Sequence, residues 1–113
     1  MRILLDHCTP KRLRRLLPVH FVRTTREMGW ERLLNGRLLS AAEGQFDVML
    51  TVDRSIRFQQ NMATRTISVI VMRANNNRFE SLGALIPAVE KALDVIGEGV
   101  VVEVSIDDVI EES

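Results

Sequence analysis

One cysteine, no tyrosine, one tryptophan and four phenylalanines leave this 113-residue chain short of the residues that carry several common activities. Cys8 alone cannot close an internal disulfide and supplies no Cys-rich zinc site; it reads as a small buried or half-buried residue rather than a nucleophile. With only 4% aromatic residues, the chain offers no evident platform for stacking the bases of a single strand. No apolar run approaches the roughly 20 residues of a membrane span. Nor does the N-terminus show the charged and apolar regions of a secretory signal, so the expected location is the cytoplasm. Net charge is missing as well, because 15 Lys and Arg offset 15 Asp and Glu.

That zero is the sum of two unequal halves. Residues 1–37 hold nine Lys or Arg against three Asp or Glu, whereas residues 78–113 hold two against nine. Lys11, Arg12, Arg14 and Arg15 fall in one predicted helix, which either draws a polyanion toward the residues around it or forms a solvated face balanced by the acidic end. The length, with 46% hydrophobic residues, suits one compact core and not two. We expect one domain over residues 1–104 and an acidic C-terminal tail over 105–113.

What is present is an alternation of short apolar strands and amphipathic helices. Arg2-Ile3-Leu4-Leu5-Asp6 and Val48-Met49-Leu50-Thr51-Val52-Asp53 are runs of β-prone residues closed by an acid, the pattern of buried parallel strands. Between them, Thr9-Pro10 predicts a helix start with Thr as cap, running through Leu13, Leu16 and Leu17 to Pro18. His20–Arg23 reads as a second strand, and Thr25 to Met28 as a capped turn ended by Gly29. Gly36 to Glu43 reads as a helix with Leu38, Leu39 and Ala42 inward. Beyond Asp53, Ile67–Met72 is almost wholly apolar and predicts a central strand. Leu82, Leu85, Ile86, Val89, Leu93 and Ile96 follow helical spacing, with Pro87 marking a kink or a first turn. Val100–Val104 is the last strand, and Val109 and Ile110 are candidates for docking the tail. The expected fold is a three-layer α/β/α sandwich around a central, mostly parallel sheet of about five strands.

In open α/β sheets ligands bind where the strands end, so Asp6 and Asp53 are expected to converge on one cleft suited to a hard cation or to phosphate chemistry. Nuclease-type sites usually gather three or four carboxylates, and here two acids stand at strand ends. His7 is a candidate ligand for Mn²⁺, or an edge histidine that only hydrogen-bonds. Glu43 and Asp47 border the wrong end of their strand and read as a helix terminus and a loop residue. Asn35, Thr51, Gln59, Gln60 and Asn61 are candidates for neutral oxygen ligands or phosphate contacts, and Arg12 and Arg54 for phosphate contact. A phosphoacceptor receiver domain also has acids near these positions. It resembles this chain poorly, since Met72-Arg73 and Val104-Ser105 stand where receivers have a Ser or Thr and a Lys.

Several segments together resemble the small PIN-like domains of prokaryotes. They are Met1–Asp6 with Pro10 and Leu13–Leu17, Val22-Arg23-Thr24 through Glu27–Trp30, Asn35-Gly36 with Leu38-Leu39, Phe46–Asp53, Gln59-Gln60-Asn61, and Asn77-Arg78 with Leu82–Pro87. This resemblance implies a fold related to PIN nucleases, whose better-known members are Mg²⁺- or Mn²⁺-dependent ribonucleases and in many cases toxins of toxin–antitoxin modules. By position, Asp6 and Asp53 match the family's acids and imply the catalytic pair, with His7 beside them as a metal ligand where the family usually has Glu. Ser55 stands where many members have Asp, and Asn35 where other branches are acidic. The resemblance implies a weakly held Mg²⁺ or Mn²⁺, an RNA substrate touched by Arg12, Arg54, Gln59, Gln60 and Asn35, and a small antitoxin-like partner. It allows a homodimer and implies no membrane. The alternative is a catalytically degenerate binding module for a protein or RNA.

Overall fold

A computed structural model of the chain describes residues 1–56 and 61–110, and in it the two apolar segments that end in aspartate lie side by side. Among the described residues one sheet contains β1 (Arg2–Leu5), β2 (Phe21–Thr24), β3 (Val48–Thr51), β4 (Ser68–Arg73) and β5 (Val101–Ser105). Every pairing is parallel and the spatial order is β2-β1-β3-β4-β5. The connecting elements are a 3-10 helix (Lys11–Leu16), α1 (Asn35–Ala42), α2 (Phe79–Gly83), α3 (Ile86–Val95) and α4 (Ile106–Ile110).

Alternation along the strands divides the core into two. Ile3 and Leu5, Val48 and Leu50, Ile70 and Met72 face one cluster with the 3-10 helix, α2 and α3. Leu4, Met49, Val69 and Val71 face the other, against α1 and Phe46. A strand turns successive side chains to opposite faces, so a sheet covered on both sides needs the unbroken apolar runs seen here. The result is the expected three-layer α/β/α sandwich.

Several local expectations change in detail. The first helix is 3-10, with Pro10 in extended backbone (φ −63°, ψ 129°) as its cap. Thr9 does not cap it, because its hydroxyl donates to the Asp6 carbonyl at 2.6 Å. The next cap falls one residue earlier than expected. Thr24 and Glu27 bond reciprocally, each side chain accepting the other's backbone N–H, a capping box that leaves Thr25 uninvolved. The long apolar helix is two helices, α2 and α3, with Pro87 in the first turn of α3, where its missing N–H costs nothing. Residues 106–110 are helical, and Val109 packs against the first cluster. Gln59 and Gln60 lie outside the described residues. No helix among the described residues is long and apolar enough to cross a membrane.

Candidate functional site at the β1 and β3 ends

From β1 the chain steps to β2 on one side, then returns past β1 to β3 and proceeds outward to β5 on the other. The connections therefore diverge between β1 and β3, the switch point at which open parallel sheets place ligands. Asp6 directly follows β1, and its backbone N–H donates to the Leu50 carbonyl of β3 at 3.0 Å. Asp53 follows β3 by two residues, so the ladder itself brings the two acids to one edge.

Thr51 links them. Its buried hydroxyl donates to Asp6 Oδ2 at 2.7 Å and accepts the Asp53 backbone N–H at 3.1 Å. Asp6 is only 3% exposed, and each of its carboxylate oxygens has two close polar neighbours. Oδ1 takes the His7 backbone N–H at 2.8 Å and lies 2.9 Å from the His7 Nδ1; Oδ2 takes Thr51 and the weak Cys8 thiol at 3.5 Å. A carboxylate offers about four lone-pair positions, and three donors, the His7 N–H, the Thr51 hydroxyl and the Cys8 thiol, are bonded to Asp6. The His7 ring is its one exposed partner, with a side chain 59% accessible. Burial, and then the Asp6 charge, push the Cys8 thiol above its ordinary value, which fits an inert half-buried cysteine.

Asp53 is held differently. Oδ1 accepts the Ser55 hydroxyl at 2.5 Å and the Ser55 backbone N–H at 2.9 Å; Oδ2 accepts the Asn35 amide at 3.0 Å. The Ser55 hydroxyl, followed by Asn35 and the Ser55 N–H, holds this carboxyl below the usual range against an opposing effect of burial. Neither Arg54 nor any other guanidinium among the described residues performs that role. Ser55 and Asn35, standing at positions where the family resemblance anticipates acids, are thus donors that keep Asp53 ionised.

The other expected contacts separate. Arg12 lies over the Phe79 ring, its Cζ 4.3 Å from the centroid, on the β2 side of the site. Arg54 is exposed and lines a hollow of about 450 Å³ with Arg73, Asn75 and Ser105 on the β5 side. Asn61 caps a turn, its Oδ1 accepting the Ala63 N–H at 3.0 Å. Glu43 and Asp47 are structural, as expected: Glu43 binds Arg65 and Thr66, and Asp47 binds Arg2. Among the described residues, no three His, Cys, Asp or Glu side chains are grouped as for a metal ion.

Thr51 read in sequence as a buried strand hydroxyl or as a neutral oxygen for a ligand or phosphate, and not as the link between the two acids. The Thr-x-Asp spacing is the signal that marks it, because a hydroxyl one residue inside the edge can reach both the neighbouring strand's acid and the following backbone. Comparison of the chain with protein-family models, with curated proteins and with solved structures returns no match.

Proposed function

We propose that the chain is a PIN-like domain that cleaves RNA with the help of a divalent cation, as the toxin of a toxin–antitoxin pair neutralised by a small protein. The observation that carries this reading is the convergence of Asp6 and Asp53 at the β1/β3 switch point, joined through Thr51 and neutralised by no Lys or Arg among the described residues. The donor chemistry suits a hard cation shared with its substrate. Mg²⁺ keeps much of its water and is often held by one or two carboxylates together with substrate phosphates, not by a complete protein cage. Asp6 and Asp53 would hold Mg²⁺ or Mn²⁺, which supplies Lewis-acid charge to the phosphate. The residues of the chain do the rest. Thr51 fixes the orientation of Asp6, Ser55 and Asn35 hold Asp53 as the carboxylate, and His7 must swing from Asp6 Oδ1 to free a ligand position.

That last requirement also favours a second reading, a binding module that keeps the fold without turnover. Burial of Asp6 with three donors on its oxygens is what a carboxylate retained for structure shows. The two readings part in one experiment, in which thermal shift and RNA cleavage are followed as Mn²⁺ is titrated into wild type and Asp6→Asn. The nuclease reading expects Mn²⁺ to stabilise wild type with an affinity of about 0.1 to 1 mM, weak because only two charges contribute. It also expects cleavage that Asp6→Asn abolishes. RNA binding without turnover at saturating Mn²⁺ would establish the binding module instead.

A further inference from the structure

Two adjoining hollows run from Asp6 toward the β2 side. One, of about 410 Å³, contains Asp6 and His7; the other, of about 380 Å³, is bounded by Arg12, Arg14 and Arg15. Lys11, Thr24 and Arg26 line both, so they form one groove with the candidate site at its end. In a chain of zero net charge, five cations gather here against three acids, Asp6, Glu27 and Glu31, because the 3-10 helix and the turn after β2 face each other across the groove.

Two of these cations are positioned by other side chains. Arg12 stacks on Phe79, and Arg14 pairs with Glu27 at 2.6 Å, where Glu27 is itself fixed by its reciprocal bonds to Thr24. Lys11, Arg15 and Arg26 are exposed and form no ion pair among the described residues. A second observation lies in the wall of the groove. The hydroxyl of Thr25, a fully buried residue, has no hydrogen-bond partner among the described residues, and Thr25 lines the hollow that contains Asp6. A buried hydroxyl ordinarily has a partner; this one has almost no accessible surface, so it belongs to the wall behind the groove and is not a contact for the ligand.

We propose that this groove is a track for the phosphodiester backbone of single-stranded RNA, which it binds without reading bases and without a divalent cation. The inference rests on the reading above for the identity of the polyanion and adds where the strand lies and how it is recognised. Apart from the exposed His7 imidazole, no ring among the described residues lines either hollow, and the Phe79 face is covered by Arg12, so the contacts available among them are to phosphates rather than to stacked bases.

The test is fluorescence anisotropy of labelled 12-mer oligo(U) and oligo(A) in EDTA over a range of salt, using wild type, the triple variant Lys11→Glu/Arg15→Glu/Arg26→Glu, and Arg37→Glu as a control on exposed α1. Each neutralised phosphate on a single strand contributes about −0.7 to the log–log salt slope. Wild type should therefore show a slope of about −2 or steeper for both oligomers, and the triple variant a slope shallower by about 2 with affinity at least about tenfold lower. Arg37→Glu should bind as wild type. Equal binding by the triple variant, with its native circular dichroism retained, would overturn the track, as would a preference between oligo(U) and oligo(A) above about tenfold. Binding of poly-glutamate in place of either RNA would assign the groove to an acidic protein and overturn it too. EDTA removes cleavage from the readout, so the track can stand where the nuclease reading fails, and the reverse.

Discussion

The sheet has two edges with aspartates, and they are neutralised in opposite ways. At the amino edge Asp47 receives the Arg2 guanidinium at 3.0 Å and the Arg2 backbone N–H at 2.8 Å, and nearby Glu43 receives Arg65 and Thr66. At the carboxyl edge Asp6 and Asp53 are met by hydroxyls, an amide, a thiol, backbone N–H groups and one exposed histidine. Both arrangements satisfy the oxygens. Only the second leaves the charge largely uncancelled, because neutral dipoles stabilise a carboxylate without adding a counter-ion. The hollow at the amino edge is the larger of the two, about 490 Å³ against about 410 Å³, yet its Arg2 and Asp47 are already paired with each other. Depth of a cleft is therefore a poorer guide to function here than the kind of partner each acid has.

The largest expected effect lies at the amino edge, where the role should be purely structural. Gly99 has φ +65°, and a Cβ there would stand 2.4 Å from the Arg65 carbonyl oxygen and 2.8 Å from that of Met62. Both neighbours are backbone and cannot rotate away, so Gly99→Ala should cost about 2 to 3 kcal/mol in urea unfolding. The Mn²⁺ response should remain; its loss would show that the two edges are coupled.

Next comes Thr51→Val, which preserves shape and removes the hydroxyl between the two acids. It strands Asp6 Oδ2 with only the thiol and leaves the Asp53 N–H without its acceptor, a cost of about 2 kcal/mol. The urea midpoint should fall with the slope unchanged. A midpoint equal to that of wild type would mean that Asp6 is held by His7 and the backbone alone.

A smaller effect separates the edges by pH and salt. The folded-state pKa values of Asp47 and Asp53 are both lowered, the first chiefly by Arg2 and the second chiefly by Ser55. A carboxyl with a depressed folded value contributes stability that is fully present above its unfolded value, near about 3.9, and is lost as pH falls through the folded value. Stability should thus drop below about pH 4, and Asp47→Asn or Asp53→Asn should each flatten that drop. Salt distinguishes them. The Arg2–Asp47 pair is half exposed, with side chains 48% and 41% accessible, so 1 M salt should screen its contribution. The partners of Asp53 are neutral, and its share of the acid drop should survive. Equal salt sensitivity of the two would break the comparison.

The smallest change in stability is expected from His7→Glu, since the ring is exposed. Its effect belongs to binding. A third carboxylate in place of the clasp should raise Mn²⁺ affinity and any Mn²⁺-dependent cleavage, read by calorimetry and by RNA degradation. If neither moves, His7 is not what limits access to Asp6.

Much of the architecture was legible from periodicity alone. Runs such as Ile67–Met72 must be buried on both faces, and that requirement forces strands, a parallel sheet and helical cover. Leu38, Leu39 and Ala42 point inward in α1 as their spacing predicts. The acids were legible too, as Asp6 and Asp53 closing apolar runs. Boundaries and caps were less so. Thr9 and Thr25 looked like caps because Ser and Thr favour such positions, but Thr9 finds a nearer acceptor in the Asp6 carbonyl, and Glu27 completes a box with Thr24 instead.

What the sequence by itself determined, then, was which segments are buried and which acids stand at strand ends, since both follow from local alternation and composition. Only the tertiary structure decided what those acids meet. The order β2-β1-β3-β4-β5 sets Asp6 beside Thr51 and puts Arg54 in a different hollow from Arg12. It also brings the 3-10 helix and the turn after β2 to the two sides of one groove. Hydrogen bonds and fields act over a few ångströms, and positions 45 residues apart, such as Asp6 and Thr51, share that distance only once the crossover connections have chosen their neighbours.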